Sequence, residues 1–400
     1  MPEQSYSYII VGAGLAGTSA AEGIREVDQQ GSILLLGAEK DKPYDRPPLS
    51  KQLWSGAKSV EEVFLHDEAF YRTNRVDLRL GVQVDRLDIE RHVVLDSQGN
   101  AYPYRRLLLA TGATPRRLAI PGGDLEGVTY YRTLPDYQQL RRAASEGKSA
   151  LVIGGGFIGS EIAAALRLNN LAVTMIFPSQ WLVSRVFPES LGHTLTSYYR
   201  NKGVEVLTGD VPLSIEANGN GYETRTRAGR AIRADLIIVG VGVTPNIALA
   251  QAAGITTGDG VPVNEFLQTS SPDVYAAGDI AFFTEANLGP RRIEHWDNAA
   301  IQGKQAGRNM GGAREPFTYM PFFFSDLFEF GYEAVGDVDS RLETFADWQE
   351  ENKTGVIYYL KDGHVRGAMM CNLFGKVDAA RELIQRPGRV TTADLRGAIP

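Results

Sequence analysis

The sequence predicts an α/β protein with two doubly wound parallel sheets and a C-terminal α+β domain built on an antiparallel sheet. Three observations carry this prediction. An apolar strand, a glycine turn and a helix start occur twice, as Gly12-x-Gly14-x-x-Gly17 and Gly154-x-Gly156-x-x-Gly159. This arrangement opens doubly wound folds and lets backbone approach a pyrophosphate at a helix N-terminus. Each turn is followed by a helical stretch and a second apolar run, at residues 32–36 and 172–177. Beyond about residue 317 the pattern changes to short aromatic and β-branched runs, separated by turn signals such as Asp362-Gly363, which is hairpin chemistry.

In chain order, residues 8–11 form the first strand and residues 32–36 the second, which ends at Gly37-Ala38-Glu39. Glu39 falls about 20 residues beyond Gly17, where a doubly wound site places the acid that binds a ribose 2′-hydroxyl; a solvated loop glutamate is the plain alternative. Residues 105–110 form a strand ending in the tight turn Thr111-Gly112-Ala113, and Pro115 with Pro121-Gly122-Gly123 marks the chain leaving the domain. The second unit repeats the plan: strand 150–153, helix 160–168, strand 172–177 and later strand 236–239. The glycine loop 240–246 reads as a crossing back to the first domain. Residues 271–279 read as a strand that delivers Asp279 at a turn, and residues 377–384 as a terminal helix. The expected domains are 1–118 with 245–316, then 119–244, then 317–400.

Composition narrows the function classes. Lys and Arg number 41 against 48 Asp and Glu, for a net charge of −7, so nucleic acid is not an expected partner, since phosphate binding needs a basic face. The start Met1-Pro2-Glu3-Gln4-Ser5 lacks a basic region followed by an apolar run, and no stretch reaches the roughly 20 apolar residues that span a bilayer. A soluble, cytoplasmic protein is expected. One cysteine, Cys371, excludes an intrachain disulfide. The five histidines lie scattered without ligand spacing, so no metal is expected.

Two dinucleotide turns imply two nucleotides, and hence a hydride passing from a nicotinamide to a flavin. Gly12 to Gly17, Pro47-Pro48-Leu49-Ser50-Lys51, Ala110-Thr111-Gly112, Gly154 to Glu161 and Ala277-Gly278-Asp279 together resemble the FAD-dependent pyridine nucleotide oxidoreductases. The resemblance is narrowest to the branch holding ferredoxin, rubredoxin and putidaredoxin reductases and apoptosis-inducing factor. It implies a glutathione-reductase-like fold with FAD in the interrupted first domain, NAD(P)H in the inserted domain and the C-terminal domain over the flavin.

Site residues follow from that resemblance. Gly12, Ala13, Gly14, Leu15, Ala16 and Gly17 would cradle the FAD pyrophosphate, and Glu39 would take the adenosine ribose. Arg46 would contact phosphate or ribityl through its fork of donors. Val84 would lie beside the adenine, Ala110, Thr111 and Gly112 would pass close to the cofactor, and Gly278-Asp279 would accept a ribityl hydroxyl. Arg132 would reach toward the cofactor, and Glu294-His295-Trp296 would lie near the isoalloxazine. Phe324 occupies a place where relatives carry tryptophan, with core packing as the alternative. On the nicotinamide side, Gly154, Gly155, Gly156, Phe157, Ile158 and Gly159 form the turn, with Gly242 and Glu333 approaching the nucleotide.

Lys51 is the candidate for tuning chemistry, because a cation near the flavin favours its anionic reduced form, and relatives pair that lysine with a glutamate placed as Glu161. The rivals are a solvated lysine and a glutamate complementing the helix dipole. Where disulfide-reducing relatives carry two cysteines, this chain has Pro47-Pro48-Leu49-Ser50-Lys51, so electrons must leave from the flavin itself. The expected outlet is a small iron-sulfur protein such as a ferredoxin or a rubredoxin, with Arg291-Arg292 as a candidate docking patch. About 20 residues beyond Gly159 the chain offers Ser179 rather than an acid, and Arg185 could attract a 2′-phosphate; the balance favours NADH over NADPH. A homodimer is compatible with the sequence. A different class of function also fits: a redox-sensing binding module of the apoptosis-inducing-factor type, turning over slowly through a stable charge-transfer complex of reduced flavin and NAD⁺.

Overall fold

The computed structural model describes residues 5–400 except residue 220; the start Met1 to Gln4, read above as lacking an export signal, lies outside the described residues. Two compact units are present, one formed by residues 1–45, 60–114 and 244–321 and the other by residues 46–59, 115–243 and 322–400.

In the first unit, four strands run parallel in the order Val76–Leu80, Ile33–Gly37, Tyr6–Val11 and Ala101–Leu109. The short strand Val274–Ala276 joins parallel to Leu107, Leu108 and Leu109. Strands buried on both faces need continuous apolar runs, and Ile33–Gly37 is buried at all five positions. Strand Ala101–Leu109 works twice: its start pairs antiparallel with Val93–Asp96 and its end pairs parallel with Tyr6–Val11. Helix Leu15–Val27 lies against helix Trp296–Gly311 at backbone distance. A Cβ at Gly303 would sit 2.2 Å from the Ala16 carbonyl oxygen, and one at Gly307 would sit 2.0 Å from that of Ala20. Small residues on both faces permit this approach, which holds the first glycine turn against the chain that follows Asp279.

The second unit contains a parallel sheet ordered Val204–Thr208, Ala172–Phe177, Ser149–Ile153, Leu236–Val239 and Val128–Tyr130. A three-stranded antiparallel sheet, Pro212–Asn218, Gly221–Thr226 and Ala231–Ala234, covers part of it, and Ile215 and Ala234 join the apolar cluster around Ile153 and Val239. The C-terminal sheet is antiparallel, in the order Phe322–Leu327, Phe330–Gly336, His364–Cys371, Thr354–Lys361 and Glu343–Glu350. Its Asp362-Gly363 turn has φ of +54° and +78°, the two left-handed residues that a type I′ hairpin requires. Helix Val377–Gln385 follows. Among the described residues, no helix is long and apolar enough to cross a membrane.

Candidate functional site

In the first unit, strand Tyr6–Val11 runs straight into the glycine turn. Gly12 has φ +115°, and its N–H donates to the Leu36 carbonyl at 2.8 Å. A Cβ there would fall 2.1 Å from the Ala110 carbonyl oxygen, and one at Gly17 would fall 1.9 Å from that of Gly12. Those glycines therefore close the turn against the strand that ends at Leu109. Gly14 differs: a Cβ there meets nothing within 4 Å. Gly14 also caps helix Leu15–Val27 with no side-chain hydrogen bond and no acidic residue in the first turn. Open space before an uncapped, uncharged helix N-terminus fits a pyrophosphate.

Other expected residues lie in the same unit. Gly278, at φ +77°, would place a Cβ 3.0 Å from the Ala16 side chain, and its N–H donates to Gln302 Oε1 at 2.9 Å. Asp279 follows directly, its carbonyl held by Arg292 Nη1 at 3.0 Å. Thr111 Oγ1 donates to the Asn246 carbonyl at 2.7 Å, Asn246 Nδ2 to that of Thr111 at 2.9 Å, and Asn246 N–H to that of Gly112 at 2.9 Å. Glu39 stands two residues past strand Ile33–Gly37 and accepts from the Tyr44 hydroxyl at 2.6 Å. Val84 is buried at the start of strand Val84–Asp88. His295 caps helix Trp296–Gly311. Burial pushes its imidazole down to about 4 against the opposing pull of Asp279, which leaves the ring neutral at physiological pH. Trp296 is 39% exposed and donates to Asp45 Oδ1 at 2.6 Å.

The candidate patch Arg291-Arg292 is corrected by this geometry. Adjacent strand positions face opposite ways, and both lie in strand Gly289–Arg292. The Arg292 side chain is only 10% exposed and is neutralised by Glu294 at 2.6 Å and Asp259 at 3.2 Å. Arg291 is half-buried and donates to the Leu288 and Gly289 carbonyls. The two guanidinium groups form no joint basic face.

The second unit repeats the turn. Gly154 has φ +122°; a Cβ there would lie 2.3 Å from the Gly240 carbonyl oxygen, and one at Gly159 would lie 2.1 Å from that of Gly154. Gly155 packs on the Phe177 ring, and its carbonyl accepts from Val183 N–H at 2.7 Å, folding residues 179–187 back over the turn. Gly156 again faces open space and caps helix Phe157–Leu168 without a side-chain bond. Ile158 is 40% exposed beside it. Gly242, at φ +96°, accepts from Arg116 N–H at 2.9 Å. Ser179 donates its hydroxyl to the Trp181 carbonyl at 2.9 Å, while Arg185 is exposed.

Glu161 lies in the second turn of its helix, past the reach of first-turn dipole effects. It is 5% exposed and meets the Lys51 ammonium, 10% exposed, at 2.6 Å through Oε1. Lys51 is set by the turn Pro47–Ser50, and Tyr131 donates to the Leu49 carbonyl and Tyr137 to that of Leu53, which pins the segment. Lys51 Nζ also lies 5.7 Å from the Phe324 ring centroid. Phe157 meets Phe323 at 5.6 Å, and Glu333, opposite Phe324 in the sheet, accepts from Gly375 N–H at 2.9 Å. Arg46 donates to the Arg132 carbonyl at 2.9 Å.

Two residues without an assigned role complete the group. Ser50 donates to Glu161 Oε2 at 2.5 Å, and Ser325 donates to Oε1 at 2.5 Å. The signal for Ser325 was a serine directly after the aromatic run Phe322-Phe323-Phe324. Cys371 is fully buried, and burial pushes its thiol well above the ordinary range. Among the described residues, no cluster of metal-ligating side chains occurs.

Comparison with known proteins agrees with this geometry. The family described as "Pyridine nucleotide-disulphide oxidoreductase" matches residues 6–303, and "Apoptosis-inducing factor, mitochondrion-associated, C-term" matches residues 306–354. The chain is 34% identical to apoptosis-inducing factor 1 of Dictyostelium discoideum, over 98% of this chain and 80% of that protein. It is 35% identical to the ferredoxin–NAD(+) reductase component of the anthranilate 1,2-dioxygenase system of Burkholderia cepacia, over 94% and 93%. Among solved structures, the putidaredoxin reductase of a covalent putidaredoxin reductase–putidaredoxin complex superposes with a TM-score of 0.90 at 29% identity, covering 99% of both chains.

Proposed function

The chain belongs to the pyridine nucleotide-disulphide oxidoreductase family, and from that we propose that it takes a hydride from NAD(P)H onto FAD and passes single electrons to a small iron-sulfur protein. The observation that carries this is the pair of open glycine turns in a chain whose single cysteine is buried. When bound, FAD supplies the conversion from a two-electron donor to a one-electron acceptor.

The protein's residues do the rest. The turn at Gly14 binds the FAD pyrophosphate and the turn at Gly156 that of NAD(P)H, each through backbone N–H groups. Glu39 accepts from the ribose, Asp279 from the ribityl chain, and neutral His295 with Trp296 shapes an apolar surround. Ala110, Thr111, Gly112, Val84, Arg46 and Arg132 border the flavin nucleotide, whereas Phe157, Gly242, Ser179, Arg185 and Glu333 border the nicotinamide nucleotide. Lys51 holds a fixed cation whose field favours the negative charge that accompanies reduction, and Glu161 positions it. These assignments divide the chain into an FAD-binding domain of residues 1–118 and 245–316, an NAD(P)H-binding domain of residues 119–244 and a C-terminal domain from residue 317. We place the reaction in the cytoplasm.

A second reading, a slowly cycling redox-dependent binding module, is favoured by the C-terminal match over residues 306–354. Rapid mixing separates the two. Protein reduced anaerobically by one equivalent of NADH is mixed with oxidised [2Fe-2S] ferredoxin or with air. Reoxidation by ferredoxin in seconds or faster, typical of enzyme turnover, is the expected result. Reduced protein that persists for minutes with ferredoxin, and changes its oligomeric state on reduction, would replace the reductase by the switch.

A further inference from the structure

We infer that Ser50 and Ser325 are positioning residues for the reductive reaction, holding Glu161 so that Lys51 keeps its ammonium at one place. This rests on the reading of the Lys51–Glu161 pair given above. A carboxylate that is 5% exposed must be compensated on more than one of its lone pairs, or its burial costs more than a single cation returns. Here Oε1 receives Lys51 at 2.6 Å and Ser325 at 2.5 Å, and Oε2 receives Ser50 at 2.5 Å. The donors arrive from two separate stretches of chain. Ser50 is the residue before Lys51, and Ser325 lies in strand Phe322–Leu327.

Alternation along that strand places Phe323, Ser325 and Leu327 on one side. Phe323 meets Phe157 at 5.6 Å, Leu327 is fully buried, and Ser325 is 1% exposed. A hydroxyl in that apolar row has to find an acceptor, and it finds Glu161. Of the other polar groups nearby, Tyr199 and Tyr131 are committed to backbone carbonyls, whereas the buried Tyr332 hydroxyl, on the residue opposite Ser325 in the sheet, has no hydrogen-bond partner among the described residues. Tyr199 donates to the Ser160 carbonyl at 2.9 Å. Burial and the Glu161 charge together push the Tyr199 and Tyr332 hydroxyls far up, and burial pushes the Tyr131 hydroxyl up as well. Asp326 is raised first by burial, then by Glu161, against Lys51.

The consequence is geometric. An ammonium has three N–H donors. A carboxylate free to turn would draw two of them, one to each oxygen. With Ser50 on Oε2 and Ser325 on Oε1, Glu161 is restrained from turning, and the remaining N–H groups of Lys51 point elsewhere.

The test uses the FAD-loaded full chain in five variants: Ser325→Ala, Ser50→Ala, Ser325→Thr, Glu161→Gln, and Ser325→Ala built on Glu161→Gln. Losing a hydrogen bond to a charged group is expected to slow anaerobic bleaching by saturating NADH about tenfold in either alanine variant. The NADH dissociation constant should move less than about twofold. A second readout is independent of turnover: acylation of Lys51 by an N-hydroxysuccinimide ester, followed by mass spectrometry, should accelerate severalfold in both alanine variants. Ser325→Thr should restore both values, and Ser325→Ala should add nothing on Glu161→Gln. Unchanged bleaching and labelling in the alanine variants, a threonine variant as slow as alanine, or full additivity with Glu161→Gln would overturn the inference while the paired reading stands. Glu161→Gln that bleaches at the parent rate would overturn the paired reading itself.

Discussion

Lys51→Met is expected to slow the bleaching of bound flavin by NADH on the order of a hundredfold, with FAD content unchanged. Methionine keeps the length and most of the volume of lysine but carries no charge, so packing beside Phe324 survives while the cation is lost. The effect belongs to the rate and not to FAD binding, because the Gly14 turn and its neighbours lie in other stretches of chain. Stability falls too, by about 3–5 kcal/mol, since Glu161 is left as a buried charge with only Ser50 and Ser325 to compensate it. Glu161→Gln is milder in stability, because the amide oxygen can still accept from a serine. Stopped-flow reduction with a parallel denaturant titration separates the two effects. A Lys51→Met protein that unfolds earlier but bleaches at the parent rate would reduce the pair to a structural contact.

Gly14→Ala should yield a folded protein that is largely colourless. Nothing lies within 4 Å of the added methyl, so the chain tolerates it, yet the methyl occupies the space where backbone must meet the FAD pyrophosphate. A loss of at least tenfold in FAD affinity, about 1.4 kcal/mol, is expected. Gly156→Ala is the matching variant at the other turn: FAD content stays at the parent level while the KM for NADH rises. Gly17→Ala contrasts with both, since its Cβ would fall 1.9 Å from the Gly12 carbonyl oxygen and the fold itself is disturbed. Absorbance ratios of purified protein and NADH saturation curves read all three. If Gly14→Ala raised only the NADH KM and Gly156→Ala only lowered FAD content, the assignment of the two turns would be reversed.

Much of the fold was legible in local pattern. Strands Ala172–Phe177 and Leu236–Val239 coincide with their apolar runs, because strands buried on both faces admit few polar residues and glycine marks their ends. The antiparallel tail was legible from Asp362-Gly363 and the runs around it. Strand Val76–Leu80 and the hairpin of Val84–Asp88 with Val93–Asp96 carried no such signal. They are short and partly exposed, with acids and arginines interleaved, and only pairing with neighbours makes them strands. The three-stranded sheet from Pro212 to Ala234 was missed for the same reason. At the site, glycine spacing disclosed both turns, since a turn is local. The donors of Glu161 were not legible as a group, because Ser50 and Ser325 stand 111 and 164 residues away from it and no local pattern links them. Arg291-Arg292 stood out because it lies close in sequence to His295 and Trp296, but closeness along the chain does not disclose that Glu294 and Asp259 neutralise Arg292.

The central claim is that electrons pass from a nicotinamide to a flavin in a chain with no thiol relay. An anaerobic titration of the FAD-loaded protein with NADH tests it most directly. One equivalent per flavin should bleach the absorbance completely, with a straight line to the end point and no change when Cys371 is replaced by serine. Consumption of a second equivalent before the flavin is fully reduced, or a flavin that NADH and NADPH both leave yellow, would contradict the account.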